Sequence, residues 1–310
     1  MKNNTLRIGT RGSQLALWQA NETRDALAKA FPNINVEIEV IKTKGDIILD
    51  VALSKIGDKG LFTKEIEVAL LNDDIDLAVH SLKDLPTELP DGLIIGGVLP
   101  RGEGRDVFLS KDGRPLSEMT AKDKVGTSSL RRQSQLLSNF PNIQVVDVRG
   151  NVNSRIQKMH DGLYDGLVMA GAGISRLELD HLITEVISPD TIMPAVGQGL
   201  VAFEMREDDE VVRSFLDVIS DDDAWQIAVA ERAFLRTLEG GCQVPVACYI
   251  ETLANNQMRI NGLVASLDGT TLIREKIVCD FEEMAECAVG LAFTILEQGG
   301  EEILSNIRTK

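Results

Sequence analysis

Short apolar runs alternate with helix-period stretches through the first two thirds of the chain. The runs LRIGT, VEIEVIKT, IDLAVH, NIQVVDV and GLVMA have the length and composition of strands. Between them, SQLALWQANETRDALAKAF sets Leu15, Trp18, Thr23, Ala26 and Ala30 near one face of a helix, and FTKEIEVALLN does the same with Phe62, Ile66, Ala69 and Leu70. Such alternation predicts βαβ units around mostly parallel sheets, with both helical stripes packed on a sheet. Two segments that combine proline, glycine and charge, LPRGEGR (Leu99–Arg105) and MPAVGQG (Met193–Gly199), read as linkers or hinges. The acidic run at Asp221–Asp223 reads as the cap of a helix carrying AWQIAVAERAFLRTL. Beyond it the period changes. MRINGLVASLDGTTLIREKIVCD predicts two strands around a DG turn, followed by a helix, and hence a smaller antiparallel α+β domain.

A chain of 310 residues exceeds the size at which one core usually keeps growing, so two or three domains are expected. Lys and Arg total 32 against 48 Asp and Glu, a formal charge of −16, which argues against nucleic acid or an anionic membrane as the main partner. Any anion site is then a local exception. MKNNTLRIGTRGS lacks the apolar core of a signal peptide and no run of about twenty apolar residues occurs, so a cytoplasmic protein is expected; the sequence leaves the oligomeric state open, with monomer as the default. The four cysteines, Cys242, Cys248, Cys279 and Cys287, show no CxxC spacing, and His80, His160 and His181 are the three histidines. Neither a disulfide framework nor a structural metal site is expected.

Four strand-like runs lead into Gly/Ser/Asn loops with arginine at or near the start of a helix. They carry Arg11 with Ser13, Arg131 with Arg132, Arg149 with Arg155, and Arg176. The positive end of the helix dipole disfavours cations by a few tenths to about 1 kcal/mol each. A bound carboxylate or phosphate would compensate, since helix N–H groups and an arginine fork favour the same ligand. The competing reading pairs each arginine with one of the many acids. Recurrence in four loops favours the ligand, because in open α/β sheets these loops meet at the crevice. GAGISR has only the first part of GxGxxG and no GxxxxGK[ST] occurs, so a nucleotide site is disfavoured and carboxylates suit the arginines at least as well as phosphates.

DLAVHSLKDLP runs from an apolar strand into Ser81, Lys83 and Asp84, with Pro86 blocking a continued strand. Asp84 thus lies just past a strand end, where ligands bind, although aspartate there is also a common turn former. Alternation in AVHS points His80 away from Ser81, as a packed, hydrogen-bonded histidine.

HSLKDLP, with RIGTRGSQLALWQ, GTSSLRRQSQL, VRGNVNSRI, PAVGQG and LEGGCQVPVA in that chain context, resembles the porphobilinogen deaminase (hydroxymethylbilane synthase) family over nearly the whole length. The resemblance implies two periplasmic-binding-protein-like α/β lobes, residues 1–99 with 200–217 and residues 105–193, and a C-terminal α+β domain, residues 222–310. It implies a transferase that condenses four porphobilinogen molecules head to tail with loss of ammonia, giving hydroxymethylbilane for haem biosynthesis. It also implies a dipyrromethane cofactor held by a thioether to Cys242. By the same carry-over Arg131, Arg132, Arg155, Ser13, Ser81, Lys83, Thr127 and Ser129 hold the cofactor. Arg11, Arg149, Arg155, Arg176, Gln19 and Gln198 hold the substrate, and Asp84 is the catalytic group. Each porphobilinogen carries an acetate and a propionate, which is the negative charge the arginines would meet. Lys55 and Lys59 in SKIGDKGLF read equally as a mobile loop over the cleft or as solvated lysines. Two other classes compete: a two-lobed binding protein for a small carboxylated solute, and an NAD-linked dehydrogenase.

Overall fold

The computed structural model describes residues 4–47, 60–238 and 244–308. Along them run β1 (Thr5–Thr10), α1 (Gln14–Ala30), β2 (Asn35–Val40), α2 (Lys44–Ile47), α3 (Lys64–Leu71), β3 (Leu77–Ser81) and β4 (Leu93–Val98). Then come β5 (Asp106–Ser110), β6 (Lys124–Gly126), α4 (Leu130–Asn139), β7 (Gln144–Val146), α5 (Val152–His160), β8 (Gly166–Ala170), α6 (Gly171–Ser175) and β9 (Glu185–Val186). After β10 (Val201–Arg206), α7 (Glu210–Ile219) and α8 (Asp222–Thr237), the C-terminal part holds β11 (Val246–Thr252), β12 (Gln257–Ala265), β13 (Leu272–Asp280), α9 (Met284–Ile295) and α10 (Glu301–Arg308).

The strands form three sheets, two of them five-stranded and built on one plan. The first has the order β2-β1-β3-β10-β4 and the second β7-β6-β8-β5-β9. In each, three strands run parallel and a fourth runs antiparallel beside them. In the first lobe that fourth strand, β10, arrives from late in the chain; in the second, β5 arrives from before the rest. The chain divides into two compact units, and it passes between them at residues 102/103 and 198/199, inside both Pro/Gly segments, and again at 225/226, within α8.

The inner strands of each lobe sheet are buried on both faces, which explains their continuous apolar runs, while the edge strand β2 has no buried residue. In the first lobe Leu6, Ile8, Leu77, Val79 and Phe203 pack with Ala20 and Leu27 of α1 and Val212 and Leu216 of α7. The other face sets Ala78 and Leu93 against Ile66 and Leu70 of α3. The helical stripe of α1 differs from the sequence expectation: Ala16, Gln19, Ala20, Thr23 and Leu27 are buried, while Leu15, Trp18 and Ala26 are half-buried and Ala30 is exposed. The reason is that a polar residue, Gln19, belongs to the inner face through a hydrogen bond, and hydropathy alone does not count it. In α3, Ile66 and Leu70 face inward as expected, with Phe62 and Ala69 partly buried.

The second lobe repeats the arrangement. Val107, Leu109, Leu167 and Met169 face Ile156 and Met159 of α5, and Phe108, Val125 and Val168 face Leu136 of α4. The third sheet, β11-β12-β13, is antiparallel, and it adds β11 to the two predicted strands. One of its faces packs Ile250, Ile260 and Val264 on Phe234 of α8 and on Ala288, Ala292 and Ile295 of α9, completing the small α+β domain.

Candidate active site

Loops at the ends of the parallel strands carry the polar residues singled out above, as open α/β sheets place them. In the first lobe β1 ends at Thr10, and Ser13 turns the chain into α1 by accepting a hydrogen bond from the Ala16 N–H at 3.2 Å. Arg11 donates to Asp46 (Nε to Oδ1 3.1 Å, Nη2 to Oδ1 2.5 Å) and lies 4.2 Å from the centroid of the Phe62 ring. Burial would raise the Asp46 carboxyl, but the hydrogen bonds and charge of Arg11, with Thr43, hold it below its ordinary value. β3 ends at Ser81, and a 3₁₀ turn over Leu82–Asp84 follows, closed by the Leu85 N–H to the Leu82 carbonyl at 3.1 Å. The turn buries Leu82 and Leu85 and leaves Asp84 exposed and Lys83 half-buried. Buried Gln19 donates its Nε2–H to Ser81 Oγ at 2.8 Å. Arg11, Ser13, Gln19, Phe62, Ser81 and Asp84 help line one cavity of about 60 Å³. One water needs roughly 10–15 Å³, so a polar group of a ligand fits there. His80 is packed as expected, its Nε2 3.0 Å from Oε2 of buried Glu204.

In the second lobe β6 leads through Thr127–Ser129 into α4. Ser129 Oγ caps the helix by accepting from the Arg132 N–H at 3.4 Å, and buried Thr127 accepts from the Ser129 N–H at 3.2 Å. Arg131 and Arg132 fold inward onto Asp106 at the start of β5, with Arg131 Nη1 2.8 Å from Oδ2 and Arg132 Nη2 2.6 Å from Oδ1. Gln198 donates to the same Oδ1 at 2.9 Å and to the Gly104 carbonyl at 2.8 Å. Burial would raise the Asp106 carboxyl, but the two guanidiniums outweigh it and hold the group well below the usual carboxylate range. Part of the compensation for these cations is therefore a protein acid. It is not all of it, because the buried Nε–H of Arg131 has no hydrogen-bond partner among the described residues. A buried unsatisfied donor costs about 1–3 kcal/mol, which a ligand carboxylate would relieve.

Gly150 turns the chain after β7 with φ +119°, and a Cβ there would lie 2.1 Å from Ser154 Oγ, so the position calls for glycine. Asn151 then caps α5, accepting from the Ser154 N–H at 2.9 Å, and Arg155 Nε donates to the Gly150 carbonyl at 2.7 Å. Burial, then the charges of Arg132 and Arg149, pull the Arg155 guanidinium down to about 10 against the opposing effect of Tyr164 and Asp147. Cations gathered this closely favour an anionic ligand of several charges. Arg176 departs from the expected pattern. The helix begins earlier, at Gly171, and ends at Ser175, so Arg176 stands at its C-terminal cap, where a cation is favoured without any ligand.

Lys55, Lys59 and Cys242 lie outside the described residues. The sequence reading missed Asp106 and Asp46, the acids that hold three of the arginines. The one signal for Asp106 was a charged residue opening an apolar strand, DVFLS. No group of three or more His, Cys, Asp or Glu side chains able to hold a metal ion occurs among the described residues, and no helix among them is long and apolar enough to cross a membrane.

Replacing Asp106 with Asn leaves two buried guanidiniums without their counter-charge, and the expected loss is about 3–5 kcal/mol in urea unfolding. Because the folded carboxyl titrates below its unfolded value of about 3.9, its contribution is fully present above that pH and lost as pH falls further. The gap between wild type and Asp106→Asn should therefore narrow below about pH 4. A gap unchanged between neutral and strongly acidic buffer would contradict the charge assignment.

Residues 6–214 match the family described as porphobilinogen deaminase, dipyromethane cofactor binding domain, and residues 225–297 match its C-terminal domain. Porphobilinogen deaminase of Syntrophomonas wolfei is 50% identical over 303 residues, 98% of this chain and 99% of the relative. That of Desulforamulus reducens is 46% identical over 301 residues, 97% of each. Among solved structures, the periplasmic VFT2 domain of Bordetella pertussis BvgS has a TM-score of 0.43 at 13% identity, covering 73% of this chain and 92% of its own.

Proposed function

The chain belongs to the porphobilinogen deaminase family, and from that premise we propose that it is the transferase that joins four porphobilinogen molecules head to tail, releasing ammonia each time and finally hydroxymethylbilane. The observation that carries the proposal in the chain's own residues is the arginine set at the strand ends of the second lobe, with the unsatisfied Arg131 Nε–H among it. The chemistry of these donors fits a dipyrromethane, whose acetate and propionate groups are carboxylates. When bound, that group supplies the free pyrrole α-carbon at which the chain starts.

The residues divide the work. Arg131, Arg132 and Arg155, with Thr127 and Ser129, hold cofactor carboxylates; Ser13, Ser81 and Lys83 assist. Arg11, Arg149, Arg155 and Arg176, with Gln19 and Gln198, hold those of the substrate. Each porphobilinogen loses ammonia from its aminomethyl carbon, leaving a methylene cation conjugated with the pyrrole N–H. A new C–C bond then forms and the α-proton departs. Asp84 stabilises the cation through the pyrrole N–H and assists these proton transfers. After the fourth addition water frees the linear tetrapyrrole: the bond between the starting pyrrole and the first-joined methylene carbon would break, a proton would return to the starting pyrrole, and the water oxygen would become the hydroxyl of the terminal hydroxymethyl group. We assign the domains to residues 1–99 with 200–217, 105–193 and 222–310, since each range carries one complete sheet. A cytoplasmic monomer without nucleic-acid or membrane partners accords with the charge of −16.

Incubation with porphobilinogen tests this directly: one ammonia should appear for each porphobilinogen consumed, with hydroxymethylbilane as product. Release of neither would refute the assignment, and tight retention of unreacted porphobilinogen would favour a solute-binding protein instead. Arg131→Leu, Arg132→Leu, Arg149→Leu and Arg155→Leu should impair different stages, from cofactor assembly to elongation. A charge-assisted hydrogen bond contributes roughly 1.5–3 kcal/mol, so each should cost about ten- to a hundredfold at its stage. Normal kinetics and cofactor content in all four would remove the carboxylate site.

A further inference from the structure

The C-terminal hairpin touches the helix that carries Arg131 and Arg132. Its tip, between β12 and β13, is held by Asp268, whose Oδ1 accepts from Ser266 Oγ, Thr270 N–H and Thr270 Oγ at 2.5, 3.1 and 2.9 Å. Gly269 at that tip lies against the backbone of α4 with φ +70°, and a Cβ on it would stand 2.4 Å from the Ser134 carbonyl oxygen and 2.9 Å from the Ser138 nitrogen. Any other residue would push the two elements apart. Beside it, Arg274 of β13 donates from Nη1 to the Asp190 carbonyl at 2.8 Å and from Nη2 to Gln135 Oε1 at 3.4 Å.

Gln135 carries the contact inward. It is fully buried, its Oε1 accepts from the Met193 N–H at 2.7 Å, and its Nε2 donates to the carbonyls of Arg131 (3.1 Å) and Met193 (3.2 Å). The Met193 carbonyl in turn accepts from Arg131 Nη1 at 2.5 Å, the nitrogen that also reaches Asp106 at 2.8 Å. A hydrogen-bonded chain thus runs from the hairpin through Arg274, Gln135 and Met193 to the Arg131 guanidinium. Each link is a direct hydrogen bond between named atoms, so a shift of the hairpin is passed on to that guanidinium.

We propose that Gly269, Arg274 and Gln135 are positioning residues for the reaction, through which the C-terminal domain sets the place of Arg131. The proposal rests on the reading of Arg131 as a cofactor-carboxylate ligand. It assigns the third domain a part in elongation that is independent of the thioether. Misplacing a binding group by about 1 Å can cost up to about a hundredfold in rate, and a relay of several bonds should pass on part of that.

The test compares Arg274→Gln and Gly269→Ala with Thr270→Ala, a control at the same turn whose side-chain hydrogen bonds run to Asp268 and Ser266 and not to the relay. Intact mass gives the share of chains carrying the cofactor, and kcat and KM for porphobilinogen are then taken per cofactor-bearing chain. Arg274→Gln should lose about tenfold in kcat/KM per such chain. Gly269→Ala should do likewise or fail to accumulate folded. Thr270→Ala should lower the melting temperature by a comparable few degrees with its kinetics unchanged. Wild-type kinetics in Arg274→Gln overturn the proposal whether or not Gly269→Ala folds, and so does an equal kinetic loss in Thr270→Ala. If the wild-type protein itself carries no added mass and consumes no porphobilinogen, it is the underlying function that fails.

Discussion

Asp84→Asn is expected to keep its fold and its cofactor and to lose turnover by roughly a hundred- to ten-thousandfold, the usual range for removing a general acid–base group. The position makes the two halves of that expectation separable. Asp84 is exposed at the end of the 3₁₀ turn Leu82–Asp84, and the turn is held by the Leu85 N–H and by burial of Leu82 and Leu85. Nothing in that support uses the charge. The amide keeps the shape and the hydrogen-bonding oxygen, while it removes the negative charge that would stabilise a methylene cation and the base that would take up a proton. Porphobilinogen consumption, circular dichroism and intact mass measured on one preparation decide the point. A folded, cofactor-bearing variant that consumes porphobilinogen near the wild-type rate would take Asp84 out of the chemistry, and the carboxylate would then be the turn former that strand-end aspartates often are.

What the sequence revealed of this molecule depends on range. Strands β1, β3 and β8 stand out because both faces of a parallel sheet are buried, so their apolar runs need no partner to be recognised. The face of α1 was harder. Its inner stripe includes Gln19, and only the distant Ser81 explains why a glutamine is buried there. β11 was passed over, although Val246–Thr252 pairs with β12 along its whole length. The same limit governs the site. Loop position and residue type were enough to single out Arg131 and Arg132. The acid they fold onto is Asp106, 25 and 26 positions earlier, and Gln198 joins it from 92 positions later. Helix electrostatics correctly indicated that an anion was needed, and it could not say that a protein carboxylate supplies part of it. Arg176 shows the converse: five residues of helix are too few for periodicity to locate, so an arginine at a C-terminal cap was read as one at a start.

A covalent adduct on Cys242 is the other result with a large expected effect. Family resemblance in LEGGCQVPVA carries the assignment, and Cys242 lies outside the described residues, so the neighbouring thiols supply the physical contrast. Cys248 is fully buried in the C-terminal core among Phe234, Ile250 and Ile260. Cys279 is buried as well, and burial followed by its hydrogen bond to Cys287 pushes its thiol up to about 12. Attack on an electron-poor methylene carbon needs a thiolate, and a thiol so raised supplies almost none at neutral pH. Cys242 follows Gly240 and Gly241, close after the end of α8 at Thr237, and Pro245 follows shortly. Such a segment can present a thiol in a way a strand or helix interior does not. Denatured wild-type protein should exceed its sequence mass by one dipyrromethane, peptide mapping should place the excess on Cys242, and Cys242→Ser should lack the thioether and lose essentially all turnover. Excess mass on Cys248, Cys279 or Cys287 would move the attachment point. A fully active protein with a free Cys242 thiol would overturn the cofactor assignment and every residue role that depends on it.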